Sequence, residues 1–444
     1  MGAEAKVHLG RIFNPLGPEE FEEFYPGYLA IAPEGKIAGY GPWDEGAQRH
    51  WREAELIDWG ERLIMPGFVD LHLHLPQLDV RGRDGAELLE WLERYIYPAE
   101  RAFADPEVAR ATSERLFREL ARCGTTCAMI YSSVHARSTE IAFEVAARMG
   151  HRAIIGKVLM DRNSLPELLE PPERALEESL RLYERWEGYD HGRLHYAFAP
   201  RFAPACSEEL LQEIARVARE RGAYIQTHLA ETEAELEWVR RLFPGYGSYT
   251  EIYFKLGLLG PRTVVGHAIH LSEEERGLLA RTGTKVAHCP SANLFLHSGR
   301  MDLEGLLKRG IAVGLGSDVG AGPSLSMFDV MRDMYYLNRV PPLQAIYHAT
   351  LGGARALGLE GEIGSFAPGK EADFIIVDPA PLISPRAGIE EILSQLIFRG
   401  DDRQITATYV RGRELHRAVE VEGEEKEESE KGEAAGAAAS PRKT

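Results

Sequence analysis

The chain has 444 residues, of which 44% are hydrophobic and 27% charged, a composition typical of a globular protein with a large buried core. Its net charge of −18 argues against binding nucleic acid through a general basic surface, although a small neutral base can still enter a pocket. Four cysteines do not make a disulfide framework, and neither a signal peptide nor a run of ~18 apolar residues is found, so we expect a cytoplasmic protein without membrane contact.

The chain begins with short alternating segments separated by turns. Apolar runs such as Tyr28-Leu-Ala-Ile-Ala32 are broken by Pro-Glu-Gly-Lys and Gly-Pro-Trp, which indicates strands and turns in residues 1–65. A strand buried on both sides follows at residues 63–74 and ends in His72 and His74. We therefore assign residues 1–65 to the N-terminal part of a small β domain.

The central region alternates between helices and short β-branched strands. Helices are predicted at 106–122, 138–149, 176–186, 207–221, 231–242, 272–282 and 303–308, and strands at 125–131, 152–159, 194–199, 223–228, 263–267, 284–288 and 311–316. With the strand that ends at His74, eight strands alternate with helices, which implies parallel pairing. The pattern predicts an α/β protein whose residues 66–360 form a (β/α)8 barrel of the TIM type.

The pattern returns to β structure after Gly361. Strands are predicted at 372–378 and 405–410, and residues 361–416 are expected to complete a small β-sandwich domain with residues 1–65. Residues 418–444 contain eight Glu against four Lys or Arg and then an Ala/Gly/Ser run. We predict that residues 417–444 are a disordered acidic tail.

Several side chains suited to binding a metal fall at the predicted ends of barrel strands. His72 and His74 are two residues apart on one strand, so both point to the same side. His228, His267 and Asp318 end the fifth, sixth and eighth strands. Because the C-terminal ends of barrel strands open on one face, imidazoles and a carboxylate can converge there on one ion. This set of ligands suits Zn²⁺, with Fe²⁺ as the alternative.

Two absences refine this hypothesis. The fourth strand, which leads to Arg201, offers no lysine at its end, and this favours one metal over the two-metal barrels. The His-x-Glu and Pro-Cys-x-x-Cys signature of the smaller zinc deaminases is also missing, since His288-Cys-Pro-Ser lacks a second cysteine.

The predicted site points to hydrolysis. A bound metal lowers the pKa of water and supplies the nucleophile. Glu231, three residues after His228, is the expected general base and then acid. For His267 three roles stay open: it orients the water, it polarises the developing tetrahedral centre or, as the runner-up, it ligates the metal directly. Asp318 is expected to bind metal and to accept a proton from the attacking water.

Longer motifs carry a resemblance to a known family. Residues 66–74, Pro-Gly-Phe-Val-Asp-Leu-His-Leu-His, and residues 368–378 resemble the opening and closing motifs of the amidohydrolase superfamily. Within it, the chain resembles the guanine deaminase family in the following segments: Leu75-Pro-Gln-Leu, residues 89–100 with Leu-Glu-Trp-Leu, Gly156-Lys-Val-Leu-Met-Asp161, Ala199-Pro-Arg-Phe202, His288-Cys-Pro-Ser-Ala-Asn-Leu294 and Gly400-Asp-Asp-Arg403.

The resemblance implies an activity and a set of site residues. The family converts guanine to xanthine and ammonia by attack at C2. By resemblance, one zinc ion per subunit is held by His72, His74, His228 and Asp318, and Glu231 and His267 assist the chemistry. Gln77 and Arg201 match the positions that bind the base, Phe202 supports its flat face, and His74 and His228 also border the substrate. Family members are commonly dimeric, so we expect a homodimer.

Two other hypotheses stay open at this point. One is a related aminohydrolase or chlorohydrolase that acts on another purine, a pterin or an s-triazine ring. Arg201 and Gln77 discriminate here, because an enzyme that removes chlorine has less need to bind a carbonyl. The other is a non-catalytic scaffold of the hydantoinase type, which the full set of predicted metal ligands disfavours.

Overall fold

The structure is a computed structural model that describes residues 5–83, 87–384 and 387–419. Its strands are β1 (Lys6–Pro15), β2 (Phe21–Ile31), β3 (Ile37–Pro42), β4 (Glu55–Pro66), β5 (Phe68–His74), β6 (Thr125–Tyr131), β7 (Arg152–Gly156), β8 (Val158–Leu159), β9 (Leu194–Pro200), β10 (Tyr224–Leu229), β11 (Thr263–His267), β12 (Lys285–His288), β13 (Val313–Leu315), β14 (Phe374–Val377), β15 (Ile405–Val410) and β16 (Arg413–Arg417).

The helices are α1 (Glu45–His50), α2 (Leu88–Trp91), α3 (Tyr97–Ala102), α4 (Pro106–Arg122), α5 (Ala136–Met149), α6 (Pro172–Trp186), α7 (Tyr189–Gly192), α8 (Glu208–Arg221), α9 (Glu233–Leu242), α10 (Tyr249–Leu256), α11 (Glu273–Thr282), α12 (Pro290–Phe295), α13 (Leu303–Lys308), α14 (Met327–Asn338), α15 (Pro342–Ala349), α16 (Leu351–Leu357) and α17 (Ile389–Arg399). A π-helical turn, Leu92–Ile96, connects α2 to α3, and short 3-10 turns span Leu75–Val80, Pro166–Leu168, Ala203–Ala205 and Asp402–Gln404.

The central body is a nearly closed parallel barrel. Its strands lie in the order β5-β6-β7-β9-β10-β11-β12-β13, and the short β8 pairs with β9. The strands are buried almost throughout because helices cover their outer faces and side chains fill the interior. The third predicted strand is divided into β7 and β8 at Lys157, whose buried ammonium contacts Glu170. The predicted α/β class with a barrel is confirmed.

The helices begin and end where their sequences provide caps. Ser272 at the N-terminus of α11 accepts a hydrogen bond from the backbone of Glu275, whose side chain accepts one from the backbone of Ser272. This capping box satisfies two N–H groups that have no partner inside the helix. Gly222 and Gly283 end α8 and α11 in the left-handed conformation, which glycine adopts without a side-chain clash.

Strands from both ends of the chain form the second body, a seven-stranded mixed sheet in the order β16-β15-β14-β4-β1-β2-β3. In it, β14 pairs antiparallel with β4, and Phe374 lies opposite Pro66. The small β unit from both chain ends is thus present as one mixed sheet. The domain boundaries of 65, 360 and 416 stay predictions, and nearly all of the predicted acidic tail lies outside the described residues. None of the helices in the described ranges has the length and hydropathy needed to cross a bilayer.

A buried ion pair connects the barrel to the mixed sheet. Arg152 at the start of β7 donates from Nε to Asp373 Oδ2 at 2.9 Å, and both side chains are almost fully buried. Asp373 immediately precedes β14 and also accepts a hydrogen bond from the backbone of Arg411. A charge buried in this way is tolerated only while its partner is present.

Asp373→Asn should therefore lower the free energy of unfolding by about 3 kcal/mol, since the buried guanidinium of Arg152 loses its closer, buried carboxylate and keeps only the half-exposed Glu362 at 3.4 Å. Urea denaturation of the purified protein measures this loss. Removing an exposed pair by Arg216→Gln should leave stability nearly unchanged, because Arg216 and Glu213 are in contact with solvent. Equal free energies of unfolding for Asp373→Asn and Arg216→Gln would contradict the prediction that the buried ion pair contributes more to stability than the exposed one.

A second prediction concerns His8, which is buried in the mixed sheet between Phe374 and Tyr409 and accepts a hydrogen bond from Trp59 Nε1 at 3.0 Å. Burial lowers the pKa of His8 from 6.5 to about 4. Below pH 6.5 the unfolded chain takes up a proton that the folded chain does not, so the stabilisation present above pH 6.5 is lost as the pH falls toward 4.

Between pH 7 and 4.5 this loss should reach about 2–3 kcal/mol in the wild type, and His8→Gln, which keeps a hydrogen-bond acceptor, should reduce the dependence on pH. Unfolding measured across this pH range checks the prediction, and the same change at exposed His50 is the control. Identical pH profiles for wild type and His8→Gln would contradict it.

Candidate active site

Four side chains suited to binding a metal meet at the C-terminal end of the barrel. His72 and His74 extend from β5, His228 extends from β10, and Asp318 follows β13. All except His228 are buried, and His228 is only partly exposed. Because the two β5 histidines are two residues apart, their side chains lie on the same face of the strand. The imidazole rings of His72 and His74 are 5.1 Å apart, and that of His228 is 4.8 Å from His72.

The distances between the ligand atoms match the requirements of a small tetrahedral ion. Asp318 Oδ1 is 3.4 Å from Nε2 of His72 and 3.4 Å from Nε2 of His74, and Nε2 of His74 is 3.2 Å from Nε2 of His228. Bonds of about 2.0–2.1 Å in a tetrahedral site place ligand atoms about 3.3 Å apart. In addition, Nε2 of His72 is buried without a hydrogen-bond partner, so its lone pair is unused. His72, His74 and Asp318 thus form a candidate site for one metal ion, and His72 and His228 also form such a group with His267.

The surrounding structure fixes the orientation of the imidazoles. Nδ1 of His228 donates to the backbone carbonyl of Arg201 at 2.6 Å, and this bond leaves the lone pair of Nε2 directed toward the cluster. The ring of Tyr131, at the end of β6, packs against the rings of His72, His74 and His228 with centroid distances of 4.6–5.0 Å. The ligands are therefore held in place by the protein alone.

Two glycines leave the space that His72 occupies. A Cβ atom on Gly266 would lie 2.6 Å from Cε1 of His72, and one on Gly316 would lie 2.7 Å from its Cβ. Any side chain at either position would displace the imidazole. Backbone hydrogen bonds from Asp318 N to His72 O (2.7 Å) and from His74 N to Val319 O (3.0 Å) then fix β5 against the segment that carries Asp318.

Glu231 and His267 lie beside this cluster. Nε2 of His267 is 3.5 Å from Glu231 Oε2 and 3.8 Å from Asp318 Oδ2, and its Nδ1 donates to Asn293 Oδ1 at 3.0 Å. Glu231 Oε1 accepts a hydrogen bond from Ser298 Oγ at 2.9 Å. The neutral side chains of Asn293 and Ser298 therefore orient His267 and Glu231.

The environment shifts the pKa values of these groups in different directions. Burial raises the pKa of Glu231. Burial alone would lower the pKa of His267, but the nearby carboxylates of Glu231 and Asp318 outweigh it and raise that pKa. Burial would raise the pKa of Asp318, yet the close imidazoles of His72 and His74 hold it well below its usual range. The site thus combines an ionised carboxylate with a carboxyl group that accepts and releases protons more readily near neutrality.

The backbone is strained at the points that deliver these side chains. Ala230, His267, Ala268 and Asp318 have φ values between 47° and 66°, a region that residues with a Cβ rarely adopt. Each such residue typically costs about 1–3 kcal/mol and persists where the surrounding structure imposes it. In this site the strained positions include His267, Asp318 and the residue before Glu231.

A pocket opens over the cluster, with about 450 Å³ of space free of protein atoms, part of which is open to solvent. Its polar lining consists of His74, Gln77, Arg201, His228, Glu231, Glu235, His267 and Asp318, and its apolar lining consists of Leu88, Trp91, Leu92, Phe202, Leu296 and Ala321. Trp91 and Leu92 lie where α2 passes into the π-helical turn, an irregularity often found at functional sites. A flat ring with polar edges suits such a lining.

Of the predicted site residues, all but His72 line this pocket, and His72 lies behind its wall as part of the metal cluster. Other residues that hold the site together were not predicted from the sequence, namely Tyr131, Gly266, Asn293, Ser298, Gly316 and Glu100. Gln77 donates from Nε2 to Glu100 Oε1 at 3.1 Å, and Arg201 donates from Nη1 to both oxygens of Glu100 at 2.5 and 2.7 Å. Glu100 and Asn293 fall inside motifs already noted, but no local signal indicated their partners.

Comparison with known proteins agrees with this geometry. The model of the amidohydrolase family matches residues 63–415. The guanine deaminase of Escherichia coli K12 is 38% identical over 411 residues, which cover 89% of this chain and 93% of that protein, and its solved structure superposes with a TM-score of 0.89. The guanine deaminase of Homo sapiens is 36% identical over 374 residues, covering 79% of this chain and 82% of the human protein.

A further solved structure is that of a guanine deaminase from C. acetobutylicum with guanine bound in its active site. It has 30% sequence identity, covers 93% of this chain and 100% of its own, and superposes with a TM-score of 0.88.

The cluster generates a prediction about metal content. His72→Ala removes one of the four donors and should lose most of the bound metal, which elemental analysis of the purified protein measures. Addition of a chelator should lower the melting temperature of the wild type but not of this variant, because ligand binding stabilises only the protein that binds it. His288→Gln is the matched control, since His288 is buried at the end of β12 but bonded to Asn338. Full metal content in His72→Ala would contradict the assignment.

Proposed function

Because this chain belongs to the amidohydrolase family and, within it, to the guanine deaminases, we propose that its pocket binds guanine and that the residues around it hydrolyse the base to xanthine and ammonia. The observation that carries the proposal is the presence of two kinds of residue in one pocket. Gln77 and Arg201, suited to binding the edge of a base, line it together with His74, His228 and Asp318, and His72, His74 and Asp318 form a candidate metal site at its wall.

We propose that the metal is one zinc ion, held by His72, His74, His228 and Asp318. Imidazole nitrogen together with one carboxylate is a typical zinc environment, and Fe²⁺ is the alternative with the same ligand preference. A divalent ion in this position lowers the pKa of water toward neutrality, so that a strong nucleophile is available at physiological pH.

Glu231 is proposed as the group that transfers protons. It takes a proton from the attacking water and delivers it to the ring or to the amino nitrogen that leaves C2 as ammonia. Its raised pKa supports both steps, because a carboxyl group with a pKa closer to neutrality accepts and returns a proton more readily. Ser298 holds one oxygen of Glu231 and leaves the other facing His267 and the pocket.

His267 and Asp318 complete the proposed chemistry. Nε2 of His267 faces the carboxylates of Glu231 and Asp318, which favour a proton on it, and we propose that this Nε2–H donates toward the negative charge that develops as C2 becomes tetrahedral. Nε2 of His267 is 3.8 Å from Asp318, which stays ionised because its pKa is depressed. Its ionised carboxylate is proposed as a metal ligand. The second role expected from the sequence, accepting the proton of the attacking water, falls mainly to Glu231, because a depressed pKa makes Asp318 the weaker base.

The remaining pocket residues are proposed to hold the purine. Arg201 donates to the carbonyl oxygen O6, Gln77 binds the adjacent ring edge, and Phe202 packs against the flat ring. His74 and His228 border the ring on the metal side. The homodimer stays a prediction from the family resemblance. The cytoplasmic location stays a prediction from the sequence, with which the four cysteines, all buried and unpaired, are consistent.

A substrate panel tests the proposal against hydrolysis of other rings. Ultraviolet absorbance is followed with guanine, 8-oxoguanine, adenine, cytosine and melamine, and metal is quantified in the same sample. Guanine should be turned over fastest. Faster conversion of another ring would support the alternative aminohydrolase, and absence of turnover from a protein with stoichiometric metal would overturn the proposed reaction.

A variant tests the role of Glu231. Glu231→Gln keeps the size of the side chain but cannot take up a proton, and it should lower kcat by roughly 10²–10⁴-fold while metal content and melting temperature stay close to those of the wild type. Glu275→Gln is the control, because Glu275 is a buried carboxylate that caps α11 outside the pocket. Wild-type turnover by Glu231→Gln would rule out proton transfer by this residue.

A further inference from the structure

Glu100 lies behind the pocket wall and contacts both residues proposed to bind the base. It extends from α3, has 1% of its surface exposed and is not part of the pocket lining. One of its carboxylate oxygens accepts hydrogen bonds from Gln77 Nε2 and Arg201 Nη1, and the other accepts from Arg201 Nη1 alone. The ends of Gln77 and Arg201 are therefore held next to each other by one shared group.

These contacts determine which end of Gln77 faces a ligand. An ionised carboxylate can only accept hydrogen bonds, so Gln77 must direct its NH₂ group to Glu100. Its carbonyl oxygen Oε1 makes no hydrogen bond within the described part of the chain, and the residue lines the pocket. Gln77 thus presents a hydrogen-bond acceptor to the ligand, although a glutamine in isolation offers both functions.

The same contacts determine what Arg201 presents. The guanidinium is planar and donates in fixed directions, and only its Nη1 is bonded to Glu100. Its other nitrogens donate no hydrogen bond among the described residues. The carboxylate also balances the buried charge of Arg201, so the pair is electrically neutral toward a ligand. A donor and an acceptor therefore stand side by side in a neutral setting.

We propose that Glu100 is a positioning residue that makes this pocket selective for a lactam edge, that is, a ring N–H beside a ring carbonyl. The N–H at N1 of a 6-oxopurine matches the acceptor Oε1 of Gln77, and the adjacent O6 matches the donor Arg201. A 6-aminopurine such as adenine presents the reverse pattern, with an acceptor at N1 and a donor at the exocyclic nitrogen, and would leave buried polar groups unpaired. This inference rests on the proposed function. It extends that function by explaining why the pocket selects a 6-oxopurine over a 6-aminopurine.

An amide at position 100 would remove this selectivity. The side-chain amide in Glu100→Gln can donate as well as accept hydrogen bonds. The amide of Gln77 can then rotate by 180° and present its NH₂ group to the ligand. Arg201 would also lose the charge that holds it. The consequence is a change in ligand preference, which differs from the uniform weakening that a loosened pocket would cause.

The experiment measures binding of hypoxanthine and adenine to the metal-loaded protein by calorimetry. Hypoxanthine has the lactam edge but no amino group at C2, so its binding is measured without deamination at that carbon. The wild type should prefer hypoxanthine, and Glu100→Gln should reduce the ratio of the two affinities by about tenfold or more, the effect of losing one well-placed hydrogen bond to a charged group. An unchanged ratio in the folded variant, or a wild type without the preference, overturns the proposal.

Two further variants keep the test decisive. Asp373→Asn breaks a buried carboxylate–arginine pair of similar kind far from the pocket, and it should lower stability while leaving the affinity ratio intact. If Glu100→Gln does not fold, Glu100→Asp keeps the negative charge but is one methylene shorter and cannot hold Gln77 and Arg201 at their present distances, so it should also reduce the ratio. An unchanged ratio in Glu100→Asp then overturns the proposal.

The test is separable from that of the proposed function. Guanine turnover is measured on the same wild-type sample. Failure to convert guanine together with a lactam preference lost in Glu100→Gln would overturn the reaction and support the role of Glu100. Normal turnover with an unchanged ratio would support the reaction and overturn the role of Glu100.

Discussion

Closure of the barrel between its first and last strands determines where every functional side chain lies. The backbone N–H of Asp318 donates to the carbonyl of His72, and that of His74 donates to the carbonyl of Val319. Without this seam, residues about 250 positions apart in the chain would not share a metal. The glycines at 266 and 316 belong to the same constraint, because they provide the space into which the His72 ring extends. The barrel can therefore close with its metal-binding side chains in place only if positions 266 and 316 carry no Cβ atom.

Burial affects ionisable groups differently in two parts of this protein. In the mixed sheet and at the barrel base, buried groups are either kept neutral, as His8 is, or paired, as Arg152 is with Asp373. At the mouth of the barrel, burial raises the pKa of Glu231 while neighbouring histidines hold that of Asp318 down. Two carboxyl groups in one pocket thereby acquire different tasks through their surroundings. The strained backbone at Ala230 and His267 is the local cost of bringing these groups together.

Much of this arrangement follows from periodicity and strand-end residues. The bounds of β6, β11, α4 and α13 agree with prediction because alternation, caps and glycines mark them locally. Other features depend on the tertiary structure. The interruption at Lys157 reflects an ion pair with Glu170 that sequence spacing does not reveal. Glu100 stands in a short helix and reads as an ordinary surface carboxylate, and only the fold brings it to Gln77 and Arg201. Residues that position others are harder to predict than residues that touch the ligand, since their partners are distant in the chain.

The pairing of β4 with β14 also constrains how the protein is made. Pro66 lies opposite Phe374, about 310 residues later in the chain, so during synthesis at about 5–20 residues per second the edge of β4 waits roughly 15–60 s for its partner. Over that interval an unpaired strand edge is exposed on the ribosome-bound chain, and such edges readily pair with other chains. The N-terminal strands therefore carry an unpaired edge until the last strands of the chain emerge.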